Sequence, residues 1–200
     1  LRAAEAAGVE GIEALVLNRL GLCLFLLGEE ERGEPVMRES LELARRSGSN
    51  DQLAAAFVNF ADALHMAGRG EEAAELAAQG EREITPGDRS ILWIACARSE
   101  ILFYLGRWDE AEAVLPARTS GEFWTATLAN VLLRRATLML GRGGDMDGAR
   151  RMIEHAGTWL ADTVEPQYIA PAGALRVELE LRSGDVGAAR EAAEKAIDQL

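Results

Sequence analysis

The chain has 200 residues, of which 48% are hydrophobic and 27% charged. This is a globular composition, with no apolar run near the roughly 20 residues that span a bilayer. The 33 acidic and 21 basic residues give a net charge of −12, which opposes binding to a phosphate backbone. Cys23 and Cys96 show neither metal-ligand nor redox spacing. We therefore expect a soluble cytoplasmic protein without metal, cofactor, membrane contact or direct nucleic acid binding.

Apolar residues at helical spacing predict five helices, each the first helix of a pair, as in IEALVLNRLGLCLFLLG from Ile12 to Gly28. Each first helix ends at a glycine, which can adopt the left-handed conformation that helix ends favour. The predicted first helices are 12–27, 51–67, 89–105, 122–141 and 167–182. The glycines that end them are Gly28, Gly68, Gly106, Gly144 and Gly184, spaced 40, 38, 38 and 40 residues apart.

A second helix follows each turn glycine after a short turn. The predicted second helices are 31–47, 70–84, 108–117, 145–162 and 185–199. A small residue stands five positions after each glycine, namely Gly33, Ala73, Ala111, Ala149 and Ala189. Because a small side chain lets two helices approach closely, this position is predicted to face the first helix of its own pair.

Short loops between these pairs predict one helical-repeat domain over residues 1–200. Its repeats are predicted at 12–48, 51–85, 89–118, 122–162 and 167–200. Aligning Gly8 with Gly48 predicts that Leu1–Ala7 is the tail of an earlier second helix. We therefore expect the array to be part of a longer protein.

The repeated positions resemble the tetratricopeptide repeat family. The resemblance is carried by Leu20, Gly21 and Gly28 and by the set Gly106, Trp108, Ala111 and Leu115. The period exceeds the family's 34 residues, and the family's repeat-ending proline is missing. The resemblance implies an all-α, right-handed superhelix, an alpha solenoid of about five helix pairs.

Repeats of about 40 residues rich in alanine and arginine are similar to the superhelical sensor regions of large bacterial LuxR-type transcriptional regulators, like the maltose-regulon activator. In that family the array lies between an ATPase module and a DNA-binding helix-turn-helix. This similarity implies a regulatory region that senses a small inducer or a partner protein.

The tetratricopeptide pattern also implies that the first helices line a concave groove. Among the residues of this chain at the groove positions, the candidate ligand-binding residues are Asn18, Asp62, His65, Trp93, Glu100, Tyr104 and Arg134. Aromatic area combined with polar groups suits a peptide or a polar or zwitterionic ligand. Alternatively, the aromatic residues are core between neighbouring pairs.

The sequence shows no residue pattern that is typical of a catalytic site. The P-loop pattern is absent from the sequence, and the only histidines, His65 and His155, have no nucleophile placed beside them. We expect a non-catalytic binding or sensor module. The alternatives are a stand-alone peptide-binding scaffold and, more remotely, an enzyme that uses Asp62, His65 and Glu100 as acid and base groups.

Overall fold

The computed structural model describes residues 2–117, 125–161 and 166–199. Within those ranges the chain forms ten helices and no strand. The helices are α1 (Arg2–Leu26), α2 (Glu30–Ser47), α3 (Asn50–Met66), α4 (Gly70–Glu83), α5 (Ile91–Tyr104), α6 (Trp108–Ala113), α7 (Thr125–Arg142), α8 (Met146–Leu160), α9 (Pro166–Arg182) and α10 (Val186–Asp198). The predicted all-α fold of five helix pairs is confirmed.

The backbone contacts group the chain into two compact units, Leu1–Val114 and Leu115–Leu200. The prediction of one domain over residues 1–200 stays a prediction. In the first unit, α1, α3 and α5 contact one another in succession, and each packs on the second helix that follows it. The second helices α2 and α4 each contact the next first helix as well. The first helices therefore form one layer of this unit.

The second unit repeats the arrangement with α7 to α10. Here α7 packs on α8 and α9, α8 packs on α9, and α9 packs on α10. Its core contains Leu132 and Leu140 of α7, Ile153 of α8 and Leu179 of α9. The same repeat therefore builds both units.

The turn glycine has the predicted position in four of the five pairs, and the small residue after it is buried in all five. Gly28, Gly68, Gly106 and Gly184 have φ between 76° and 82°, the left-handed region. Ala73, Ala111 and Ala149 are fully buried, and Ala189 is nearly so. At Gly33 an added Cβ would lie 2.8 Å from the Phe25 ring. Close approach of the two helices therefore requires a small residue at this position.

The fourth turn corrects the predicted register. The left-handed glycine is Gly143, with φ 69°, and not Gly144. Asp145 caps α8 by accepting a hydrogen bond from the backbone N–H of Gly148. Because the cap fixes where α8 begins, the reversal of the chain falls one residue earlier than the spacing suggests.

The beginning of the chain differs from the prediction for Leu1–Ala7. Helix α1 runs without a break from Arg2 through Gly8 to Leu26. Apolar residues keep the helical spacing on both sides of Gly8, and a glycine inside a helix costs only about 1 kcal/mol. Gly11 has a packing role instead, since an added Cβ there would overlap the Gln52 amide.

Other boundaries differ by a few residues. Helix α6 ends at Ala113 instead of 117, and α9 begins at Pro166 instead of 167. A proline is tolerated at the first helical position, where no intrahelical N–H bond is lost. The predicted start of the fourth repeat, 122–124, lies outside the described residues.

Candidate functional site on the first helices

Six of the seven predicted groove residues lie on the first helices of the first unit, α1, α3 and α5. The structure places them in two clusters. Asn18 and Trp93 line one recess, and His65 contacts Tyr104. We name the surface formed by these two clusters the first-helix face.

The recess lies between α1 and α3 and has a volume of about 230 Å³. Its lining residues are Ala14, Leu15, Asn18, Ser40, Asp51, Gln52, Ala55, Ala56 and Trp93. Alanines at 14, 55 and 56 leave space that larger side chains would fill. The recess is therefore mostly apolar, with a few polar groups and one indole in its wall.

Two polar atoms of the recess residues are buried without a hydrogen-bond partner in the described chain. They are Nδ2 of Asn18, a donor, and Oε1 of Gln52, an acceptor. Asn18 is only 3% exposed, and its Oδ1 accepts from Asn59 Nδ2, which joins α1 to α3. A buried polar atom left unpaired costs about 1 to 3 kcal/mol. Neither atom has accessible surface, so a group bound in the recess would pair with them only when these side-chain amides turn toward it.

The second cluster lies at the ends of α3 and α5. The rings of His65 and Tyr104 have centroids 5.3 Å apart, and Tyr104 is 67% exposed. Phe103 meets Tyr104 edge to face and stacks on Trp108. The Trp108 Nε1 donates to the Phe103 carbonyl at 3.0 Å, which fixes the indole at the start of α6. This cluster presents an exposed aromatic surface.

Asp62 and Glu100 lie one turn before this cluster on their helices, Asp62 before His65 and Glu100 before Tyr104. Both side chains are half-buried and interact with other residues of the chain. Each of the two rings, His65 and Tyr104, therefore has a carboxylate residue one turn before it on the same helix.

Arg134 belongs to the second unit. It lies on α7, is half-buried, and donates from Nε to Asn130 Oδ1 at 3.2 Å. Its grouping with the residues of the first unit, and the ligand bridging several repeats that this grouping implies, stay predictions.

Sequence reasoning missed Gln52 as a recess residue. Gln52 stands 40 residues after Ile12, at the same repeat position, so a polar residue replaces an apolar one there. That substitution is the signal that could have identified it.

Sequence reasoning also missed a larger opening in the second unit. It lies between α8, α9 and α10 and has a volume of about 580 Å³. We name it the second-unit cleft; Ile153, Leu160, Gly173, Arg176, Glu180 and Lys195 are among its lining residues.

The part of the chain that the structure describes offers neither a metal site nor a membrane-spanning helix. None of its groups of histidine, cysteine, aspartate or glutamate could hold a metal ion. None of its helices is both long and apolar enough to cross a membrane.

Comparisons with known proteins agree with this architecture. Residues 13–82 match the family model of the tetratricopeptide repeat. The structure is similar to the crystal structure of BtubC (BKLC) from P. vanneervenii, with a TM-score of 0.58 and 17% sequence identity, over 100% of this chain and 91% of that one. No curated protein matches the sequence. The comparisons support a tetratricopeptide-type helical array.

Proposed function

We propose that this chain is a non-catalytic module that binds an extended peptide segment of a partner protein on the first-helix face. The observation that carries the proposal is the recess with its unpaired donor and acceptor, Asn18 Nδ2 and Gln52 Oε1, next to Trp93.

A peptide group supplies the two hydrogen-bonding atoms that the recess lacks. Its carbonyl can accept from Asn18 Nδ2, and an N–H of the same segment can donate to Gln52 Oε1. The apolar wall, including Leu15, suits a small apolar side chain of the peptide. Because the recess buries these bonds away from water, they discriminate against ligands that cannot form both.

Charge favours a basic peptide. The chain carries a net charge of −12, Asp51 lines the recess, and Asp62 and Glu100 lie beside the aromatic cluster. Opposite charge steers a partner to this surface and speeds association at low salt. The exposed ring of Tyr104 then provides aromatic contact area of the kind that dominates binding energies at interfaces.

The family match supports the same class of function, because tetratricopeptide repeats typically mediate binding to proteins or peptides. We further propose that the module is the sensor region of a LuxR-type bacterial transcriptional regulator in the cytoplasm. The alternative is a stand-alone peptide-binding scaffold. Sequencing the gene on both sides separates the two, because the regulator requires a P-loop ATPase module upstream and a helix-turn-helix downstream.

A matched pair of variants tests binding on the first-helix face. Leu15 lines the recess and is 51% exposed, whereas Val186 is an exposed aliphatic residue at the start of α10. Peptides are first selected from a random library on the native chain. Leu15→Arg should abolish their binding, since it introduces charge and bulk into the recess, and Val186→Arg should leave it unchanged. Equal binding to both variants would refute the proposed site.

A further inference from the structure

The groove between α2, α3 and α4 of the first unit is filled by a phenylalanine. Phe57 of α3 is fully buried, and it packs against Gly80 of α4, where an added Cβ would lie 2.8 Å from its ring. Arg45 lies over this ring, 5.5 Å from the centroid. Its Nε and Nη2 donate to the two oxygens of Glu83 at 2.8 and 2.9 Å. A ring covered by an ion pair therefore closes this groove.

The second-unit cleft occupies the same place in the repeat, between α8, α9 and α10. Phe57 stands 11 residues before Gly68, and Gly173 stands 11 residues before Gly184. The partner of Gly173 is Ala196, where Gly80 stands in the first unit, and a Cβ added to Gly173 would lie 2.5 Å from the Ala196 Cβ. The first unit pairs a large residue with a small one at these two positions, whereas the second unit pairs two small residues. The second unit therefore has no ring at this position.

The covering ion pair is replaced as well. Counted from the repeat glycines, Arg45 corresponds to Ala161 and Glu83 corresponds to Gln199. Ala161 and Gln199 both line the cleft, and they cannot form an ion pair. Loss of the ring and of its cover leaves an opening of about 580 Å³, the size of a small-molecule site.

Fixed charges line the wall of the cleft. Glu180 is 4% exposed, and both its oxygens accept from Arg150, at 2.6 and 2.9 Å. Arg176 also contacts Glu180, with its Nε 2.7 Å from Oε1, and its Nη1 lies 3.4 Å from Glu154. These two carboxylates hold the Arg176 guanidinium in place. Its orientation at the opening is therefore fixed before a ligand binds.

The α10 side of the cleft adds one charge of each sign. Glu191 and Lys195 lie one turn apart and both line the opening. Apolar contacts come from Ile153, Leu160 and Ile169 on the other helices. The lining therefore offers a space for a ring, and both a cation and an anion at its border.

We propose that the second-unit cleft binds a small zwitterion that carries an aromatic ring, the chemistry of a free aromatic amino acid. The ring takes the apolar part of the cleft, against Ile153, Leu160 and Ile169. The ligand carboxylate pairs with Lys195 and Arg176, and its ammonium group pairs with Glu191. This site is independent of the peptide site on the first-helix face.

Titration of L-phenylalanine into the native chain by calorimetry tests the proposal. Saturable binding with a dissociation constant of about 1 mM or tighter is expected for a ligand of this size. L-alanine, which lacks the ring, should not bind. Absence of saturable L-phenylalanine binding, or equal binding of L-alanine, would overturn the proposal.

Two kinds of variant locate the binding. The double variant Gly173→Phe with Ala196→Gly rebuilds the pair found at Phe57 and Gly80, and it should abolish binding while circular dichroism shows an unchanged helix content. Lys195→Ala should weaken binding about tenfold, as loss of a charge-assisted hydrogen bond does. Arg190→Ala is its control, because this arginine is on the same helix, is highly exposed and does not line the cleft. If the double variant binds as the native chain does, or if both single variants have equal effects, the site is wrong.

Discussion

Asn59 on α3 donates from its Nδ2 to the Oδ1 of Asn18 on α1, across 41 residues of sequence. This bond holds Asn18 in a nearly buried position, with its own Nδ2 unpaired in the described chain. The same contact therefore joins two repeats and fixes the Asn18 amide whose Nδ2 we propose as a donor to the peptide. The contribution of Asn18 to stability is therefore coupled to Asn59.

A double-mutant cycle tests this coupling. Asn18→Leu should lower the free energy of unfolding by about 1 to 3 kcal/mol, because it leaves the Asn59 amide without its acceptor. Adding Asn59→Leu should cost less than the sum of the two single changes, since the unpaired amide is then removed. Urea unfolding of the four proteins measures the cycle, and strictly additive losses would exclude the coupling.

The small residue of the third pair gives a prediction about packing. Ala111 is fully buried, and its carbonyl accepts from Ser99 Oγ at 2.7 Å. Ala111→Leu should overpack α5 and α6 and cost roughly 1 to 3 kcal/mol. Ala113→Leu is the control, because residue 113 on the same short helix is exposed. Thermal unfolding should show a lower midpoint for the first variant alone; equal midpoints would mean that Ala111 does not face α5.

The corrected turn in the fourth pair can be tested with two adjacent glycines. Gly143 has φ 69°, a conformation that costs a residue with a Cβ roughly 1 to 2 kcal/mol, whereas Gly144 is outside that region and has open space around it. Gly143→Ala should therefore destabilise the protein by about that amount. Gly144→Ala should change the stability by less than about 0.5 kcal/mol. The opposite order in denaturant unfolding would restore the register expected from the spacing.

The buried carboxylate of the second unit predicts a pH dependence. Hydrogen bonds from Arg150 hold the pKa of Glu180 below its ordinary value of 4.5. Because the unfolded chain binds this proton more tightly, Glu180 stabilises the fold above about pH 4.5, and this contribution is lost as the pH falls through the lowered pKa.

Glu180→Gln should remove that part of the acid sensitivity and lower stability near neutral pH by about 1 to 3 kcal/mol. Glu178→Gln is the matched control, since its ion pair with Arg182 is exposed and contributes little. Denaturant midpoints across the acid range compare the three proteins. An unchanged acid slope in Glu180→Gln would contradict the assignment.

The repeat was predictable because its signals are backbone requirements that recur at constant spacing. At each turn between paired helices the glycine, such as Gly106, must take a positive φ. The residue five positions later, such as Ala111, must be small. The fourth turn was misplaced because GRGG, residues 141–144, ends in two adjacent glycines, and spacing alone does not show which one reverses the chain. Gly8 was misassigned because a glycine also fits inside a helix when its neighbours keep the apolar period.

The site was predictable only in part. The repeat positions predicted one shared surface for these residues. On it Asn18 and Trp93 line one recess, and His65 contacts Tyr104. Whether a side chain of the first helices is buried or exposed depends on how closely the helices approach, which residue type does not reveal. The second-unit cleft was missed because it depends on large side chains that are replaced by small ones. Gly173 stands where the first unit has Phe57, and Ala161 stands where it has Arg45.

Fluorine NMR of the chain labelled with 5-fluorotryptophan tests the central claim, that the first-helix face binds peptide. Trp93 lines the recess, whereas Trp159 lies in the second unit beside His155. Single tryptophan-to-phenylalanine variants assign these two among the four tryptophan resonances. Addition of a library-selected peptide should shift the Trp93 resonance and leave that of Trp159 in place. A shift of Trp159 with Trp93 unmoved would contradict the account.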